Sequence, residues 1–265
     1  MYETINSPLN YGGLTLKNRI IFAPTTLGLP REELVERMKT IAAGGCAMII
    51  IGDVPVLPQH FVPCLYTEKG RAFYRSLADA VHPYGCKLCA QLHQSDSNIK
   101  AMMKYVPGVL AGRISKEELR PLLNQQVGPY ITGLSEKKVK EITDVFGTAA
   151  ELALQAGFDM VQVHGDRMCG SFSSSVFNHR ADEYGGSPEN RARFAVEAVF
   201  AIRRRLPDVP IDYKLAVRPG ESPLRKRRRA GRGITHLCSP AGAGGGHQLP
   251  CDPGQPRGAL RHHSA

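Results

Sequence analysis

"AAELALQAGFDMVQVHG", Ala149 to Gly165, decides the fold. Its first half is an alanine- and leucine-rich helical pattern that Gly157 brings to an end. Its second half, Phe158 to His164, is a short apolar run that reads as a strand buried on both faces. The same alternation extends in both directions. "RIIFAP" (Arg19 to Pro24), "AMIIIGDV" (Ala47 to Val54), "KLCAQLH" (Lys87 to His93) and "VPIDYKLAV" (Val209 to Val217) are further strand patterns. Helical patterns lie between them at Arg31 to Ala43, Gly70 to Val81, Ser135 to Ala156 and Ser187 to Leu206. Ser135 and Ser187 stand where caps belong, with Pro188 at the first helical position and Glu189 favourable to the helix dipole. Strands alternating with helices mean parallel βα units.

Two architectures accommodate that order, a doubly wound sheet and a (β/α)8 barrel. A nucleotide-binding doubly wound sheet would show G-x-G-x-x-G after its first strand, where this chain has "APTTLGLP". A barrel opens every strand's C-terminal end onto one face. The polar residues cluster at those ends: Thr25 and Thr26, Asp53, Gln91 and His93, His164 with Asp166 and Arg167, and Lys214. The expected fold is therefore an incomplete TIM-type (β/α)8 barrel of about five βα units over residues 1–218, followed by a disordered basic tail at 219–265.

At 265 residues and 42% hydrophobic, the chain is long enough for one large buried core. It shows neither an apolar run of membrane-spanning length nor a signal-peptide start, so the expected location is the cytoplasm. Seven cysteines without a regular framework fit free thiols. The lone C-x-x-C of Cys86 to Cys89 has no second pair at zinc spacing and reads as packing, so no metal is expected. The net charge of +10 is local: eight Lys/Arg against two Asp/Glu after Arg218 account for +6, leaving +4 for the first 218 residues. "RKRRRAGRG" belongs to a segment with nine Gly and six Pro among 47 residues, a composition expected to be disordered. It reads as a solvated tail, a nucleic-acid-binding run, or the product of a reading-frame shift after the fifth strand.

The chain resembles the old yellow enzymes and the related 2,4-dienoyl-CoA and 2-enoate reductases, a family of FMN-dependent barrels. The likeness runs through "LTLKNRIIFAP" (Leu14 to Pro24), "HPYGCKLCAQLH" (His82 to His93), the opening stretch, and "NHRADEYGGSPENRARF" (Asn178 to Phe194). It implies an NAD(P)H-dependent oxidoreductase in which hydride passes through FMN N5 to an activated alkene, whether enone, enoate or enoyl thioester. By position, Ala23, Pro24 and Thr25 match the family's first flavin loop, Thr26 a ring-tuning side chain, Gly52 the second strand's exit and Gln91 an amide partner of the flavin. For Gln91 the alternative is an amide satisfied by a neighbouring loop. Lys214 falls where a basic residue faces the flavin, and a lysine buried in a barrel strand requires an anionic partner.

The resemblance also implies catalytic residues, with departures. Relatives place two histidines, or His and Asn, three residues apart to hold the substrate carbonyl, then a tyrosine that donates a proton. Here His164 and Arg167 take the first two positions, and Cys169 stands where the tyrosine would be, with Asp166 as an alternative acid. "DEYGGSPENR" reads chiefly as scaffold. The expected partner is a small-molecule alkene, with a homo-oligomer compatible and neither nucleic acid nor membrane expected. The rival readings are a non-catalytic barrel remnant without cofactor and a basic-tailed nucleic-acid binder.

Overall fold

A computed structural model of the chain describes residues 2–59, 62–97 and 102–215. The proposed tail, 219–265, lies outside the described residues. Five strands form one wholly parallel sheet in chain order: β3 (Ile21–Phe22), β4 (Met48–Pro55), β5 (Lys87–His93), β6 (Met160–Gly165) and β7 (Ile211–Leu215). Each predicted strand is present. Neighbours in the sheet are neighbours in sequence, the strand order of successive units of a (β/α)8 barrel. An antiparallel hairpin, β1 (Leu9–Tyr11) and β2 (Leu14–Leu16), precedes them.

The sheet has two different faces, because successive side chains of a strand alternate. One face carries Ile49, Leu88, Ala90, Leu92, Val161 and Val163 into the main core, against the helices. Those helices include α2 (Arg31–Ala43), α3 (Glu68–Val81), α7 (Glu136–Gln155) and α9 (Pro188–Arg205). Phe146 of α7 and Phe194 of α9 meet edge to face at 6.3 Å, both fully buried, each contributing roughly 1.5–3 kcal/mol by burial. The other face begins with a small apolar layer of Met48, Ile50, Cys89 and Met160, which the hairpin covers with Leu16 and, in part, Leu9, Tyr11 and Leu14. This is the barrel interior, and the hairpin closes its floor.

Local signals account for the element ends. Ser135 accepts from the Lys138 N–H and Ser187 from the Asn190 N–H, as their positions predict. Gly157 turns α7 into β6 with φ of +97°, a conformation that a side chain would strain. The helices α4 (Val106–Leu110), α5 (Lys116–Asn124) and α6 (Val127–Gly133) fill the connection between β5 and α7, a segment without a predicted element. A short α1 (Glu3–Asn6) leads into the hairpin, and α8 (Arg167–Ser173) follows β6 directly.

Candidate functional site

Above the apolar floor, the interior face turns polar in two layers. In the first, Gln91, Gln162 and Asp212 stand opposite one another across β5, β6 and β7. Gln91 Nε2 donates to Gln162 Oε1 at 2.6 Å, and Gln162 Nε2 donates to Asp212. The hydroxyl of Tyr11, rising from the hairpin, bonds Asp212 in turn; burial and that carboxylate push its pKa up to about 12. Gly52 belongs to the same layer. A Cβ built there would lie 3.3 Å from Pro24 Cβ, 3.6 Å from Gln91 Oε1 and 3.7 Å from Thr25 N. Four of the predicted cofactor positions, Pro24, Thr25, Gly52 and Gln91, thus converge on one spot, which the bare glycine backbone leaves open.

Two residues further along each strand lie His93, His164 and Lys214, with His164 opposite Lys214. The His93 and His164 rings are 5.6 Å apart between centroids, tilted by 44°. His93 Nε2 is buried without a hydrogen-bond partner, as is Gln94 Oε1, and such orphans mark sites where a ligand or water completes the set. Burial lowers both imidazole pKa values, with His93 and Lys214 adding to the effect on His164 and Arg167 to that on His93. Both rings therefore take up a proton less readily than a free imidazole. His164 Nδ1 accepts the Asp166 N–H at 3.4 Å, which leaves its proton on Nε2. That nitrogen is 4.0 Å from Asp53 Oδ1, and Asp53 Oδ2 accepts from Thr26 at 3.3 Å. Asp53 adopts φ of +54° at the point where the β4–β5 register breaks, so the bulge aims its carboxylate over the strand ends.

Asp166 caps α8 by accepting the Arg167 N–H at 2.9 Å. Arg167 also has a positive φ, +51°, and its side chain is exposed at the rim. The Met168 N–H donates to Gln94 O, and Ser171 Oγ donates to the buried Asp96 at 2.6 Å, docking α8 onto the end of β5. Ala23 and Thr26 lie exposed in the loop after β3, where Thr25 Oγ1 bonds Ala23 O.

Two expectations need correction. Cys169 does not join the site: its thiol is 1% exposed within the main core, and desolvation pushes its pKa up to about 12. Lys214 is on the interior face but exposed, so the requirement for an anion beside a buried lysine does not apply. "DEYGGSPENR" proves structural. Tyr184 is fully buried with its hydroxyl on Glu197, and Asn178 Nδ2 bridges Phe172 O and Tyr184 O at 2.6 and 2.7 Å. The buried Arg180 ties Asp182 to the carbonyls of Ile131 and Leu134. Sequence reasoning missed Gln162, Asp212 and Gln94. The first two had a signal: "QVH" and "DYK" each place polar residues on alternate positions of an otherwise apolar strand.

Polar layers above a sealed floor, at the C-terminal ends of parallel strands, define a barrel of the type that holds a cofactor at its mouth. The chain belongs to the NADH:flavin oxidoreductase / NADH oxidase family, whose sequence profile matches residues 4–226. It is 61% identical over 219 residues to the bilirubin reductase of Clostridium symbiosum, covering 82% of this chain and 59% of that protein. It is 31% identical over 236 residues to the cinnamate reductase of Clostridium sporogenes, covering 82% and 35%. The chain thus spans about three fifths of the first relative's length and about a third of the second's. Among solved structures, the old yellow enzyme of a Pichia species superposes with a TM-score of 0.66 at 22% identity over 81% of this chain and 60% of that one. Morphinone reductase in complex with tetrahydroNAD gives 0.59 at 25% identity, covering 80% and 63%.

Proposed function

We propose that the chain carries the flavin-binding and substrate-facing part of an FMN-dependent, NAD(P)H-driven ene-reductase. The single observation that carries this reading is the convergence of Pro24, Thr25, Gly52 and Gln91 beneath two closely spaced imidazoles. Those residues fit a flat heteroaromatic ligand: an open glycine backbone, a buried amide oxygen, a backbone N–H, and the orphaned His93 Nε2 above. FMN held there would supply the hydride for the alkene. The protein's own part is orientation and polarisation. His164 Nε2–H donates to the substrate's carbonyl oxygen, and Arg167, permanently charged, approaches the same oxygen from the rim. His93 shields the inner side of that contact from water. The proton that completes the reduction does not come from Cys169, whose thiol is walled off in the core.

The substrate class follows from the relative with 61% identity, a bilirubin reductase. A conjugated tetrapyrrole such as bilirubin is the first substrate to test, with cinnamate as the comparison. Purified chain is titrated with FMN by fluorescence quenching, then assayed anaerobically with NADH or NADPH and each substrate. Saturable FMN binding with turnover of bilirubin is expected. A chain that takes up no FMN would support the rival reading of a barrel portion without cofactor.

A further inference from the structure

The first polar layer has a direction, and its source is Asp212. A carboxylate accepts hydrogen bonds and cannot donate them. Facing it, Gln162 must present Nε2, and the structure has that nitrogen on the Asp212 carboxylate. Gln162 then has only Oε1 to offer on its other side, where it accepts from Gln91 Nε2 at 2.6 Å. With its amide nitrogen committed, Gln91 turns its oxygen to the open spot beside Gly52 and the Thr25 N–H. Gln91 and Gln162 are 2% and 4% exposed, so no bulk water competes for these bonds. Tyr11 OH holds the carboxylate from the floor side. A row of three polar side chains in one barrel layer, with both glutamines buried and Asp212 half-buried, is costly to retain for packing alone.

We propose that Asp212 is a positioning residue: through Gln162 it fixes the Gln91 amide with its oxygen toward the ligand, so that the site selects a ligand edge presenting an N–H donor there. The proposal rests on the flavin reading, since the pyrimidine edge of the flavin ring offers an imide N–H. Without Asp212, nothing in the row distinguishes the two ends of the Gln91 amide.

The test compares FMN with 3-methyl-FMN, in which that N–H is blocked, on the 265-residue chain. Wild type should bind FMN about tenfold or more tightly than the methylated form, the scale of one mispaired buried polar group. Asp212→Asn, whose amide can face Gln162 with either end, should lose most of that discrimination. The double variant Asp212→Asn/Gln162→Glu should restore it, because a carboxylate at 162 again accepts from Gln91 Nε2 and from the new amide at 212. Glutamine-selective 15N labelling reads the same polarity without any flavin: the Gln91 side-chain amide resonances should move in the single variant and return in the double. Unchanged discrimination in Asp212→Asn, or unmoved Gln91 resonances, would overturn the proposal. Moved and restored resonances in a chain that binds neither flavin would uphold the orientation by Asp212 and sink the flavin reading instead.

Discussion

His164 is oriented at two points, its Nδ1 by the Asp166 N–H and its ring by His93, while its Nε2 lies 4.0 Å from Asp53 Oδ1, beyond hydrogen-bond reach, and keeps its proton for a ligand. A donor so oriented is worth about two orders of magnitude in rate where it meets developing charge. His164→Ala is therefore expected to cut alkene reduction by about 10²-fold or more while NAD(P)H oxidation by a dye continues nearly unchanged. Equal loss of both half-reactions would make His164 a flavin or folding residue. The two imidazoles also set a pH dependence. Folding lowers both pKa values, so the unfolded chain binds protons more readily, and stability falls as pH drops through the unfolded imidazole value of about 6.5. Urea unfolding between neutral and mildly acidic pH should show this decline. His93→Gln/His164→Gln should flatten it, and an unaltered slope would assign the decline to other groups.

At the scale of elements, the strand-helix alternation was legible because each buried strand is a near-continuous apolar run and α3, α7 and α9 begin at a capping threonine or serine, Thr67, Ser135 and Ser187. The hairpin was not, since three-residue strands carry too little pattern. Nor were α4 to α6, where Gly108, Pro121 and Gly128 interrupt the helical period. The site was half legible. Pro24, Thr25, Gly52, Gln91 and His164 could be placed one by one, but the Gln91–Gln162–Asp212 row depends on register between strands about 50 and 71 residues apart. The exposure of Lys214 was not legible because an apolar run marks a strand without showing which side chains are covered. Close approach decides Gly165: a Cβ there would lie 2.2 Å from Lys214 O and 2.5 Å from the Tyr213 ring. Gly165→Ala should force β6 and β7 apart and cost about 1–3 kcal/mol, as overpacking does. A melting temperature equal to wild type would show that β7 yields freely.

For the molecule as a whole, the two faces of the sheet divide the work. The outer face and its helices hold the large core, whereas the inner face keeps one thin apolar layer on the hairpin and gives the rest to polar groups. No helix among the described residues is long and apolar enough to cross a membrane. Ligand binding should then couple to stability: FMN at a hundredfold excess over its Kd should add about 2.7 kcal/mol and raise the melting temperature by several degrees. Absence of any shift at saturating FMN would remove the flavin assignment. Asp53 and Arg167, held at φ of +54° and +51°, carry a consequence for how such a chain can change over time. Left-handed backbone costs a side-chain-bearing residue about 1 kcal/mol that glycine avoids. Selection for heat resistance alone would drift toward glycine at both positions, and each step would look like an improvement in a melting assay. The same steps would strip the carboxylate beside His164 and the guanidinium from the rim, so thermal hardening and chemical competence pull this barrel mouth in opposite directions.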